Sequence, residues 1–134
     1  GEVGGTRVIG PEPSDKMRRL LRLVVERGTG RQAAALGYPV GGKTGTAEKV
    51  GAGGYRGSAL ISSFVGVFPM NAPRYLVLVL LDEPKGIKET FGFATGGWTA
   101  APVVSRVVTR IAPILGVAPI DETVNEIINA MAIR

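Results

Sequence analysis

The stretch GYPVGGKTGTAEKV, Gly37 to Val50, decides the fold, because it can be read in two ways. Taken from Gly37, four free positions followed by Gly42, Lys43 and Thr44 spell the phosphate-binding Walker A signature. The run YLVLVLLDEP, Tyr75 to Pro84, then resembles the acid-terminated strand that accompanies it. A phosphate loop needs a strand before it and a helix after it, since the helix N-terminus and the loop amides hold the phosphates. Here RQAAAL precedes Gly37 and is not strand-like. The segment after Thr44, GTAEKVGAGGYRG, carries five glycines in thirteen residues, a composition that does not sustain a helix. Read one step later, as KTGT over Lys43–Thr46, the same letters sit in an extended strand lined by glycine.

Working outward, the remaining pattern predicts two kinds of element. In DKMRRLLRLVVERG, Met17, Leu20, Leu21 and Val24 recur at helical spacing, with Ser14 as the cap and Gly28 as the stop. A loop with a possible helical turn is expected at TGRQAAALG, and a glycine-rich loop at GAGGYRGS. ALISSFVGVF alternates, with Ile61, Val65 and Val67 on one face. YLVLVLLDE is apolar on both faces and reads as a central strand. Val104, Val107, Val108 and Ile111 mark a helix with Pro102 in its first turn and Pro113 at its end. Asp121 caps a further short helix over 121–134. Short links between the strands predict an α+β fold, an antiparallel meander of about three strands covered on one face by N- and C-terminal helices.

Composition bounds the chemistry. The chain has 134 residues, 45% of them apolar and 20% charged, which suits one globular domain. A domain of this size buries about two-thirds of its unfolded surface. The net charge of +5 is spread out, with only Arg18, Arg19 and Arg22 close together, and these are expected on a solvated face. Aromatics are 6%, so no basic and aromatic platform for nucleic acid is present. The absence of cysteine and histidine removes disulfides, thiolate chemistry and the commonest general base and metal ligand. No cofactor or metal is expected. The apolar run Tyr75–Leu81 is far short of the ~20 residues that span a bilayer. Asp82 and Glu83 are expected as turn residues, Ser62 and Ser63 as strand residues, and Trp98 as a packing anchor. The opening GEVGG reads like the middle of a protein.

KTGT on an extended strand resembles the third motif of the penicillin-recognising serine acyltransferases. The succession GKTGTAEKV, SSFVGVFP, PRYLVLVLLDEPKG and GGWTAAPVVSRVV is similar to the C-terminal part of the transpeptidase domain of class B penicillin-binding proteins, of the cell-division type. The resemblance covers about Arg7 to Gly116 and implies a partial β-lactamase/transpeptidase-like fold. Residues 1–120 would be the C-terminal portion of that domain and 121–134 a helical tail.

The resemblance also implies roles. Lys43 would hydrogen-bond the serine of a Ser-x-Asn motif and help move protons. Thr46 would lend its N–H to the oxyanion hole and its hydroxyl to the substrate carboxylate, while Thr44 and Gly45 shape the substrate-binding strand. The substrate would be a peptidoglycan stem peptide ending in D-Ala-D-Ala, and β-lactams would trap the acyl-enzyme. No serine in the chain has lysine three positions on, and no Ser-x-Asn occurs. The chain is therefore expected to be inactive alone and to need the upstream half of the same domain. The parent would be anchored in the cytoplasmic membrane with this domain on the periplasmic face. Without further strands beside it, Tyr75–Glu83 becomes an apolar edge that invites self-association. A nucleotide-binding protein and a non-catalytic interaction module stand as alternatives, separated by ATP binding and by the nature of the upstream sequence.

Overall fold

The computed structural model describes residues 4–51 and 53–121. Helix α1 (Pro11–Glu26) leads through a short 3-10 turn (Arg31–Ala33) into strands β1 (Gly41–Gly51), β2 (Gly54–Phe68) and β3 (Tyr75–Asp82). A second 3-10 turn (Lys88–Thr90) precedes helix α2 (Ala100–Ile114). The strands form one antiparallel sheet in the order β1-β2-β3, the expected meander.

Helix α1 starts earlier than its serine suggests. Gly10 is the cap, Pro11 opens the first turn, and the Ser14 N–H bonds to Gly10 O inside the helix. The first four N–H groups of a helix have no intrahelical partner, so Pro11 and Pro13 forfeit nothing there. The stop is at Gly28, where a Cβ would lie 2.9 Å from the Val24 Cα and carbonyl oxygen. The buried stripe is also rotated from the expected one. Val25 is the buried residue and Leu21 and Val24 are half-buried, whereas Met17 and Leu20 remain exposed. Arg22 does not belong to a solvated face. Its Nη1 donates to Val40 O at 2.9 Å and its Nε pairs with Glu26 at 2.8 Å, which ties α1 to the approach of β1.

The expected loop after β1 is largely strand. Gly51 pairs with Gly54, whose φ of 107° suits only glycine, and a register shift between Glu48 and Lys49 absorbs the extra residues of β2. Ser62, Phe64, Gly66 and Phe68 form the buried face of β2, and Tyr75, Val77, Val79 and Leu81 continue it on β3. Ile61, Val65 and Val67 lie on the opposite, half-buried face. Strand β3 is an edge rather than a central strand in this sheet, with Leu76, Leu78 and Leu80 exposed on its outer side. Its all-apolar composition cannot distinguish the two positions.

Helix α2 packs on β2 and β3, and α1 lies against β1. Val25 from α1 and Val104, Val108 and Ala112 from α2 join Phe64 and Phe68 in one buried cluster. Pro113 lies in the last turn of α2 and does not itself end it. The end is a Schellman closure: Val117 N–H bonds to Ala112 O at 2.9 Å, Gly116 N–H to Pro113 O at 3.1 Å, and Gly116 has φ 67°. The expected helix beyond Asp121 falls outside the described residues.

Candidate active-site strand

Strand β1 carries Lys43, Thr44, Gly45 and Thr46 in its first half, on the edge of the sheet opposite β3. Thr44 pairs with Phe64 and Thr46 with Ser62, so both hydroxyls belong to the α2 side of the sheet. Lys43 and Gly45 pair with Val65 and Ser63 on the other side. Simple alternation thus separates the lysine from the threonines. The lysine side chain bridges the separation by folding back along the open edge. Its Nζ donates to Thr44 O at 2.9 Å and lies 3.5 Å from Thr44 Oγ1. An ammonium group, two hydroxyls and an edge of backbone therefore meet within one stretch of strand.

Neighbouring elements hold the two hydroxyls. Thr44 Oγ1 is 3.2 Å from Thr29 Oγ1, in the connection between α1 and β1. Thr46 Oγ1 accepts from the Gly96 N–H at 3.1 Å. Ser62, buried next to Thr46, donates its hydroxyl to Ala94 O. The segment from Ala94 to Gly97 is thereby fastened onto the strand. Contact is so close that a Cβ on Gly96 would stand 2.2 Å from Ser63 O and 2.7 Å from Gly45 O, and one on Gly97 would stand 2.3 Å from Thr29 O. On the opposite side, a Cβ on Gly45 would meet Ser63 Oγ at 2.5 Å. Backbone oxygens thus exclude a side chain at positions 96 and 97, whereas at position 45 the Ser63 hydroxyl would have to turn aside. Thr29, Ser62 and Gly96 were not singled out for the site from the sequence. The letters GGW carried a signal, but their contact with the strand joins residues fifty positions apart.

Other residues weighed from the sequence lie elsewhere. Asp82 is the last residue of β3 rather than a turn residue, Glu83 follows it with φ 49°, and the two bind Lys49 at 3.0 Å and 2.9 Å. The hydrogen bond that Lys49 donates to Glu83, then that to Asp82, raises the Lys49 pKa above the ordinary lysine value. Trp98 is half-buried outside the core cluster, stacked on the exposed Phe93 with ring centroids 5.7 Å apart and meeting the exposed Phe91 edge-on at 5.5 Å. Among the described residues no group of three or more acidic, histidine or cysteine side chains is disposed to hold a metal.

The phosphate-loop alternative fails on backbone geometry. Lys43 is the third residue of an eleven-residue strand, and the element after it is β2, not a helix. A phosphate loop feeds directly into a helix, which this strand does not, and Asp82 is engaged with Lys49.

Comparison with known proteins agrees with the strand. The family model described as the penicillin binding protein transpeptidase domain matches residues 2–109. The chain is 48% identical over 122 residues to the probable peptidoglycan D,D-transpeptidase FtsI of Caulobacter vibrioides, covering 84% of this chain and 21% of that protein. It superposes with TM-score 0.73 and 41% identity on the transpeptidase domain of Burkholderia pseudomallei penicillin-binding protein 3, covering 86% of this chain and 34% of that one. It is likewise similar to penicillin-binding protein 3 of Mycobacterium tuberculosis complexed with ampicillin, with TM-score 0.71 and 28% identity over 84% of this chain and 26% of that one. The chain thus spans about a fifth of the length of the curated relatives it matches. A match across most of the chain, on a fold that turns the KTGT letters into an edge strand, makes this chain a member of the penicillin-binding protein transpeptidase family.

Proposed function

We propose that residues 1–120 form the C-terminal portion of the transpeptidase domain of a peptidoglycan D,D-transpeptidase of the cell-division type. In this reading β1 is one wall of a cleft that takes a stem peptide ending in D-Ala-D-Ala. The observation that carries it is the placement of Lys43, Thr44 and Thr46 together in an edge strand, with Lys43 Nζ folded back to 3.5 Å from Thr44 Oγ1. An extended peptide adds to such an edge through backbone hydrogen bonds. Lys43 and Thr46 are the catalytic residues of this wall, and Thr44, Gly45 and Thr46 line the substrate. The Thr46 N–H would serve the oxyanion hole, a type of donor worth about 3 kcal/mol in acyl transfer.

The acylated serine, its lysine and the Ser-x-Asn motif would come from the upstream half of the same domain, since this sequence contains neither motif. The chain alone is then inactive. The parent would be anchored in the cytoplasmic membrane with this domain on the periplasmic face. No helix among the described residues is long and apolar enough to cross a membrane. Fluorescent penicillin tests the assignment. The 134-residue chain is expected to take up no covalent label, and the reading frame extended upstream to a Ser-x-x-Lys is expected to label stoichiometrically. Stoichiometric labelling of the chain alone, or none of the extended frame, refutes it.

Strand β3 is the second surface with a proposed partner. Its exposed Leu76, Leu78 and Leu80 flank a strand edge that is unpaired among the described residues, and we propose that isolated chains associate through Tyr75–Glu83. Sedimentation velocity is expected to show mass rising with concentration, and a strict monomer at high concentration contradicts it.

A further inference from the structure

We propose that the Ala94–Gly97 segment is a positioning element for Thr46: the Gly96 N–H holds the hydroxyl as an acceptor and so commits its proton to an incoming carboxylate or carbonyl oxygen. This rests on the transpeptidase reading of the strand and adds to it the group that orients the threonine.

A hydroxyl offers one donor and two acceptor lone pairs, and left to itself it rotates to suit its surroundings. A backbone N–H can only donate. The 3.1 Å contact between Gly96 N and Thr46 Oγ1 therefore has one possible direction. With an acceptor lone pair occupied, the Thr46 proton is directed away from Gly96. Thr46 is exposed, so that direction is open to a ligand. Accepting one hydrogen bond also polarises the hydroxyl as a donor in the next. The arrangement turns an ambivalent group into a donor matched to an anionic ligand terminus.

The orienting group is itself fixed from three sides. Ser62, fully buried, fastens Ala94 O. Gly96 O accepts from the Ala100 and Ala101 N–H groups at 3.1 and 2.9 Å, which anchors it to the start of α2. Below it, Ser63 O and Gly45 O leave no space for a Cβ. A side chain at position 96 would lift the segment from the strand and release the hydroxyl. The two glycines before Trp98 thus have a functional consequence beyond packing.

The test uses the uniformly 15N-labelled chain and the probe diacetyl-L-lysyl-D-alanyl-D-alanine, read by NMR. Thr46→Val is isosteric and removes the hydroxyl, and Thr46→Ser retains it. Thr46→Val is expected to shift the Gly96 amide and speed its hydrogen exchange about tenfold or more, with Thr46→Ser close to wild type. The probe is expected to perturb the 43–46 amides in the wild type and to bind Thr46→Val about tenfold more weakly, with Thr46→Ser again retaining binding. A probe amidated at its C-terminus is expected to lose the difference between the wild type and Thr46→Val. A Gly96 amide indifferent to Thr46→Val overturns the positioning role alone, and equal binding of the acid probe by both proteins overturns the Thr46 donor role that it serves. Probe binding that leaves all of 43–46 unperturbed in the wild type overturns the transpeptidase reading, and the donor role with it.

Discussion

Lys43→Ala, made in the complete domain, is expected to slow acylation by fluorescent penicillin by about 10²–10³-fold while leaving the melting temperature near its wild-type value. The two halves of this result have separate physical origins. The Lys43 side chain is exposed, and its contacts are local, to the carbonyl and hydroxyl of Thr44. Truncating an exposed side chain with such contacts changes stability by only about 0.5 kcal/mol. On the proposed assignment the same ammonium group is a preorganised charge beside the reacting serine, and removing a group of that kind costs orders of magnitude in rate. Acylation kinetics and thermal unfolding of the same two proteins read both halves. Unchanged acylation removes Lys43 from the catalytic role, whereas a collapse of the melting temperature assigns it to the fold.

Phe64→Ala is expected to destabilise the chain by about 3–5 kcal/mol. The residue is fully buried on β2, the middle strand, opposite Thr44 on one side and Val79 on the other. Its ring reaches within 2.8 Å of where a Cβ on Gly30 would lie and within 2.6 Å of one on Gly42. Backbone therefore closes around the ring, and little is free to collapse into the space it vacates. A domain of this size has about 5–15 kcal/mol in total, so the loss removes a large share of it. Urea unfolding monitored at Trp98 measures the change. Leu78→Ala on the exposed outer face of β3 is the control, with a much smaller effect expected. Equal costs at the two positions would contradict the placement of the core on the α2 side of the sheet.

Much of this architecture was legible in the residues. Glycine content after Thr44 excludes a helix there, which resolves the ambiguous GGKT letters from composition alone. Alternation identified β2 as a strand but not its buried face, since Ile61, Val65 and Val67 lie opposite the core residues Phe64 and Phe68, whereas the spacing of Val104 and Val108 identified both α2 and its buried face. The failures have particular causes. Ser14 is a good cap by type, but two prolines with preset φ began the helix ahead of it. Arg22 looked like one of a basic cluster because sequence does not reveal a carbonyl eighteen residues away. Uniform apolar composition left the edge position of β3 unreadable. The candidate strand was legible as KTGT, but its supports from Thr29 and Gly96 depend on tertiary contacts without a local pattern.

A crystal structure of the β-lactam acyl-enzyme formed by the complete domain examines the role of β1 most directly. The drug carboxylate is expected about 3 Å from the Thr46 hydroxyl, with the acyl oxygen facing the Thr46 N–H. A drug bound with its carboxylate remote from residues 43–46 would contradict the account.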